Sequence, residues 1–219
     1  MIHALPGMGA DRRMFPDPWG TLAGFVAHDW PRHQGERTLA EVARTVAEAY
    51  AIQDGDTIVG ASLGGMVACE IAKLRRLRAL FLIGSATSPG EVSRLLAFLH
   101  PLADVAPIDW LKFSARKIPM ELAQMFTGLE PAFVRSMCSA IFQWEGLSGV
   151  PVRCFRIHGR RDLVIPPPAQ VDLLLDGGHL ISVTHPKECA AYVRTKQAAL
   201  DHDGNPSLCP PERTRSTDK

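Results

Sequence analysis

The sequence has no apolar run long enough to cross a bilayer and no charged start leading into the hydrophobic core of a leader. Neither a membrane span nor a secretory signal is expected, and the simplest location is cytoplasmic. Charge of one sign is also missing. The 24 Lys and Arg against 23 Asp and Glu leave a formal net charge of +1, and neither half carries a dominant basic field. Nucleic acid and anionic membrane are therefore not expected partners. The one basic knot, Lys73 to Arg78, falls where a helix should end, and cations there complement the helix dipole. Cysteine is sparse and odd in number: Cys69, Cys138, Cys154, Cys189 and Cys209 lie far apart, which argues against both a disulfide framework and a zinc site. Cys69 and Cys154 sit in apolar runs and are expected to be small core residues.

What is present is centred on Asp56 to Lys73. Thr57, Ile58 and Val59 favour a strand, while Met66, Val67, Ala68, Ile71, Ala72 and Leu74 recur at the spacing of a buried helix face. Between them runs Gly60-Ala61-Ser62-Leu63-Gly64, a G-x-S-x-G pattern in the strand–turn–helix context that a nucleophile elbow requires. Gly60, Gly64 and Gly65 remove side chains where strand and helix must come close. Ser62 is then placed at the tip, near the positive end of the helix dipole and beside the Leu63 N–H. Alone, the same pattern also fits an ordinary strand-to-helix turn capped by a serine, so the partners of the serine decide.

An elbow calls for a loop that helps bind an oxyanion before it, and for an acid and then a histidine after it. Ile2 to Leu5 reads as a short strand, followed by the glycine-containing loop Pro6-Gly7-Met8-Gly9-Ala10-Asp11. Arg156 to Asp162 places an acid just past a strand, and Asp176-Gly177-Gly178-His179 places a histidine just past the next. With these motifs in order, the chain from about Ile2 to about Ala199 resembles the α/β-hydrolases. Asp29-Trp30-Pro31-Arg32-His33-Gln34-Gly35 is similar to a degenerate form of that family's D-x-P-G-H-G segment.

The 219 residues suffice for one well-buried domain and are short for two. The resemblance implies an α/β-hydrolase fold in which the opening hairpin of larger members is missing. What remains is a mainly parallel sheet of about six strands with helices on both faces. Asp11 is a candidate N-cap for a following helix, and Phe25 to His28 reads as the second strand. Thr38-Leu-Ala-Glu41 is a capping box opening a helix through Tyr50, with Leu39, Val42, Ala43, Val46 and Ala49 inward. Leu80 to Ile83, Val152 to Ile157 and Gln170 to Leu175 are the later strands, and Pro186 to Ala199 is the final helix. From about 89 to 149 the pattern turns helical and rich in large apolar side chains, with Pro119 and Pro131 suited to first turns. In this fold such an insertion forms a helical cap over the active site. The hydrolase domain is thus expected over 1–202 and a disordered tail over 203–219, where apolar residues almost vanish.

The resemblance assigns roles. Ser62 is the nucleophile, His179 the base that takes its proton, and Asp162 the acid that orients the imidazole and stabilises the imidazolium. Asp172 and Asp176 are alternative acids that fit better as strand-end and turn residues. His158 is expected to make a local hydrogen bond before the acid loop, and His185 to sit in the start of the last helix. The Met8 and Leu63 backbone N–H groups are the expected oxyanion donors, although proline replaces the family's histidine in Pro6-Gly7-Met8, and Gly9 supplies the donor instead if the loop is shifted by one. No metal or cofactor is implied. The substrate implied is a small-molecule ester or thioester, with thioesterase, carbon–carbon bond hydrolase, lyase and perhydrolase chemistry sharing the same residues. A ligand-sensing module that kept the pocket without turnover is the rival from another class.

Overall fold

Strands buried on both faces read as unbroken apolar runs, and every residue of β3 (Thr57–Ala61) and β4 (Ala79–Ile83) is buried. Around this pair lie β1 (Ile2–Leu5), β2 (Phe25–Ala27), β5 (Cys154–Gly159) and β6 (Leu173–Leu175). The computed structural model describes residues 1–92 and 130–203, and the six strands form one sheet in the order β2-β1-β3-β4-β5-β6. Every neighbouring pair is parallel. Most of the expected cap (93–129) and all but the first residue of the expected tail (204–219) lie outside the described residues.

Alternate residues of β4 enter two separate cores, as the two-residue period of a strand requires. Leu80 and Leu82 join α1 (Leu39–Ala49), α2 (Leu63–Leu74) and α3 (Pro131–Phe142) on one face. Ala79, Phe81 and Ile83 join Met14, Trp19, Ile181 of α4 (Ile181–Thr184) and Cys189, Ala190 and Val193 of α5 (Pro186–Asp203) on the other. The capping box forms as expected: Thr38 Oγ1 accepts from Glu41 N at 3.2 Å, and Glu41 Oε2 accepts from Thr38 N at 3.2 Å. Ala47, one turn on from Ala43, is buried in α1, whereas Ala49 is exposed.

Several boundaries differ from the sequence expectation, each for a local reason. Asp11 does cap, accepting from Arg13 N at 2.9 Å, but only a single 3-10 turn follows (Arg12–Met14), because Pro16 and Pro18 cannot continue it. β2 stops at Ala27, one residue short of His28. β5 starts two residues later than expected and runs two further, since its limits are set by the ladders to β4 and β6 and not by its own apolar content. β6 keeps only the last three residues of the expected strand. α5 runs past Ala199 to Asp203, with Asp201 ion-paired to Arg78.

Strand order reverses between β1 and β3, which both leave their neighbours on opposite sides. In an open parallel sheet, the crevice beyond the carboxyl ends of strands at such a switch point is where ligands bind. The loop after β1 and the elbow after β3 meet there.

Candidate active site

β3 delivers Ser62 into the left-handed region, with φ +51° and ψ −120°, a conformation that non-glycine residues adopt only when their surroundings enforce it. The enforcement is close packing. A Cβ on Gly60 would lie 2.4 Å from Gly65 Cα, and one on Gly64 would lie 2.3 Å from the Leu5 carbonyl oxygen. Ser62 N donates to Ile83 O at 3.0 Å, and the Ser62 carbonyl accepts from Gly65 N at 3.0 Å and from Ser85 Oγ at 2.7 Å. The Ser62 side chain makes no capping bond to α2, which removes the reading of an ordinary serine cap. Its Oγ instead lies 2.9 Å from His179 Nε2.

His179 Nδ1 in turn lies 2.7 Å from Asp162 Oδ2. The other oxygen, Oδ1, accepts from Val164 N at 2.9 Å and Ile165 N at 3.0 Å. The Asp162 side chain is fully buried and the imidazole is 18% exposed, so a carboxylate removed from water is satisfied on both oxygens. An acceptor at Nδ1 places the ring proton there and leaves Nε2 as the acceptor facing the hydroxyl. Three residues far apart in sequence thus form one continuous chain of hydrogen bonds. The alternative acids stand elsewhere: Asp172 accepts from Arg156 N at 2.7 Å, and Asp176 pairs with Arg161 at 2.8 Å. His3 bridges His28 through Nδ1 and Asp56 through Nε2, and His185, at the C-cap of α4, bonds Thr184 Oγ1.

Gly7 to Ala10 forms a tight turn beside the serine. Ala10 N donates to Gly7 O at 3.1 Å, and Gly9 has φ +69°, the conformation a type II turn needs at its third residue. A Cβ on Gly7 would stand 3.4 Å from Ser62 Cβ, so the peptide that carries the Met8 N–H borders the hydroxyl. Leu63 is the first residue of α2, where the backbone N–H has no partner within the helix. Met8 is half-buried, and its Sδ lies 3.9 Å from Cys138 Sγ on α3.

Behind the elbow lies a polar cluster that the sequence reading missed. Arg156, in the middle of β5, donates to both Glu91 oxygens at 2.7 Å and to Ser85 O at 3.2 Å, and Glu91 accepts from Thr87 N at 2.8 Å. Burial works to raise the Glu91 carboxyl, but the bonds from the Arg156 guanidinium outweigh it and hold the carboxyl below its ordinary value. A charged side chain within an apolar strand was the signal for this pair. The expected local hydrogen bond of His158 is not made among the described residues: the ring is fully buried and faces no more than a weak contact with the Ser85 backbone. Burial, helped by the Arg156 charge and opposed by Asp162, pushes it down to about 4. Among the described residues no group of three or more His, Cys, Asp or Glu could hold a metal ion, and no helix is long and apolar enough to cross a membrane.

The sheet order, the elbow and the hydrogen-bonded serine, histidine and aspartate agree with the class that sequence comparison shows. Residues 2–192 match the model of the alpha/beta hydrolase family. The chain belongs to that family, and membership supports a hydrolase that acts on a small molecule. Solved structures share the fold at low identity. A hydrolase from Oleispira antarctica superposes with a TM-score of 0.75 at 16% identity, covering 92% of this chain and 91% of its own. The enol-lactonase from Burkholderia xenovorans LB400 gives 0.74 at 17% identity, with 90% of each chain covered. A thermophilic esterase from Thermogutta terrifontis gives 0.67 at 16% identity, covering 91% and 89%.

Proposed function

We propose that the protein is a serine hydrolase that cleaves carboxylic esters of small to medium size through an acyl-Ser62 intermediate. The observation that carries this reading is the unbroken series Ser62 Oγ, His179 Nε2, His179 Nδ1 and Asp162 Oδ2, at 2.9 and 2.7 Å. A serine hydroxyl is a weak nucleophile at neutral pH and needs a base to remove its proton during attack. His179 Nε2 takes that proton as Oγ adds to the ester carbonyl, and Asp162 stabilises the imidazolium that results. The negative charge on the former carbonyl oxygen faces the Met8 and Leu63 N–H groups, each of which lowers the barrier by roughly 3–4 kcal/mol when preorganised. His179 then gives its proton to the leaving alcohol. Water attacks the acyl-serine with the same imidazole as base, and the carboxylic acid departs.

The fold neighbours are in keeping with this choice, since one is an esterase and another opens a lactone, itself a cyclic ester. The test is stopped-flow hydrolysis of p-nitrophenyl butyrate beside a butyryl thioester. The proposal predicts a p-nitrophenol burst of one equivalent or a steady ester turnover that exceeds the thioester rate. Faster thioester cleavage moves the protein to the thioesterases. Reaction with a fluorophosphonate without turnover of either substrate makes it a ligand-sensing module.

A further inference from the structure

We infer that Trp30 is a positioning residue for the oxyanion site, holding the peptide that carries the Met8 N–H. The Gly7 carbonyl oxygen and the Met8 N–H belong to one planar unit, which is trans, so the two groups point in opposite directions. Trp30 Nε1 donates to Gly7 O at 2.9 Å, and Ala10 N donates to the same oxygen at 3.1 Å. With its oxygen held from one side, the peptide has a single orientation for its N–H on the other. On the serine side the spacing is fixed by the 3.4 Å that a Gly7 Cβ would have to Ser62 Cβ.

Trp30 is itself well anchored. The preceding residue, Asp29, accepts from Tyr50 Oη through its carbonyl at 2.5 Å and from Arg12 N through Oδ1 at 2.9 Å. The indole ring packs against Phe133 of α3 at a centroid distance of 5.3 Å, and α3 reaches the same loop again where Cys138 meets Met8. Trp30 therefore connects three things: the segment after β2, the loop after β1, and α3, which packs on the same face of the sheet as α1 and α2. An oxyanion donor contributes only when it is aimed before the charge develops, so a group that fixes the aim acts on the transition state and not on the bound ester. Trp30 touches no reacting atom.

This inference rests on the ester-hydrolase reading, and the experiment separates the two. Trp30→Phe keeps an aromatic ring against Phe133 and removes the N–H. Gly7 O retains its bond from Ala10, so no buried carbonyl is left bare. The variant is expected to show kcat about 10- to 100-fold below wild type, less than the roughly 10²–10³ lost when an oxyanion donor is deleted outright. KM should stay within about twofold, as expected for an interaction made only in the transition state. A trifluoromethyl ketone, whose serine adduct places an oxyanion in the same position, should lose affinity by the same factor as kcat/KM. If Trp30→Phe does not fold, 3-benzothienylalanine at position 30 removes the donor while keeping the bicyclic shape. Unchanged kcat and inhibitor affinity in a folded variant would overturn the inference, and so would a loss confined to KM. A wild-type protein that neither cleaves esters nor reacts with a fluorophosphonate overturns the functional reading as well.

Discussion

Single residues show where burial and charge work against each other. His158 is enclosed with no more than a weak contact to the Ser85 backbone, and burial pushes its protonation down to about 4 in the folded protein from an ordinary value of 6.5. In the unfolded chain the same imidazole takes up a proton as the pH falls through 6.5, while the folded one stays neutral until near 4. The unfolded state therefore binds more protons in that window, and folded stability falls as the pH falls from 6.5 to 4. His158→Leu removes this proton uptake. The stability lost between pH 7 and pH 4.5 should shrink by about 2–3 kcal/mol relative to wild type, measured as the difference of urea unfolding free energies. His28, also pushed down to about 4 by burial and by the neighbouring His3, is common to both proteins and cancels from that difference. An unchanged pH dependence would show that His158 is solvated or partnered in solution.

At the scale of elements, the elbow is held by exclusion of side chains. A Cβ on Gly60 meets the backbone of Gly64 and Gly65 at 2.4 to 2.6 Å, and neither strand nor helix can yield without moving Ser62. Gly60→Ala should cost at least the upper end of the roughly 1–3 kcal/mol typical of overpacking. Gly90→Ala, whose Cβ meets only Ser88 Oγ at 3.8 Å among the described residues, should stay within about 0.5 kcal/mol. Chemical denaturation of both variants checks the contrast. The buried Arg156–Glu91 pair gives a second one: Arg156→Leu strands the Glu91 carboxylate at a cost of about 3–5 kcal/mol, whereas the double variant Arg156→Leu/Glu91→Leu should recover most of it. Equal losses in both would mean that the pair itself, and not the stranded charge, matters. The elbow, the capping box and the strand-to-loop positions of Asp162 and His179 were legible in the sequence because each depends on local pattern. The Arg156–Glu91 pair, the Ser85 bond to the elbow and the Trp30 bond to Gly7 were not, because each joins residues 23 to 65 positions apart through side chains whose approach only the folded sheet defines. Boundaries failed for the same reason: β5 ends where β6 stops pairing with it.

For the whole molecule, the parallel sheet and its switch point put the site beyond the carboxyl ends of β1 and β3, and the sequence from about 89 to 149 is rich in large apolar side chains suited to a hydrophobic acyl group. Buried apolar surface gains roughly 0.8 kcal/mol per methylene until an acyl chain meets the wall. The kcat/KM for p-nitrophenyl esters should therefore rise from acetate to a maximum at short or medium chains and then fall, in a series at fixed pH. A steady rise to palmitate would instead mark a lipase. Beneath that preference lies the central claim, that Ser62 is the nucleophile and His179 its base. Fluorophosphonate labelling followed by peptide mapping tests it most directly. The account predicts one phosphonyl group, on the peptide that contains Ser62, absent from Ser62→Ala and formed at least about 100-fold more slowly in His179→Ala, in line with the contribution of a positioned base. Labelling that persists in Ser62→Ala, or that maps to another residue, would contradict it.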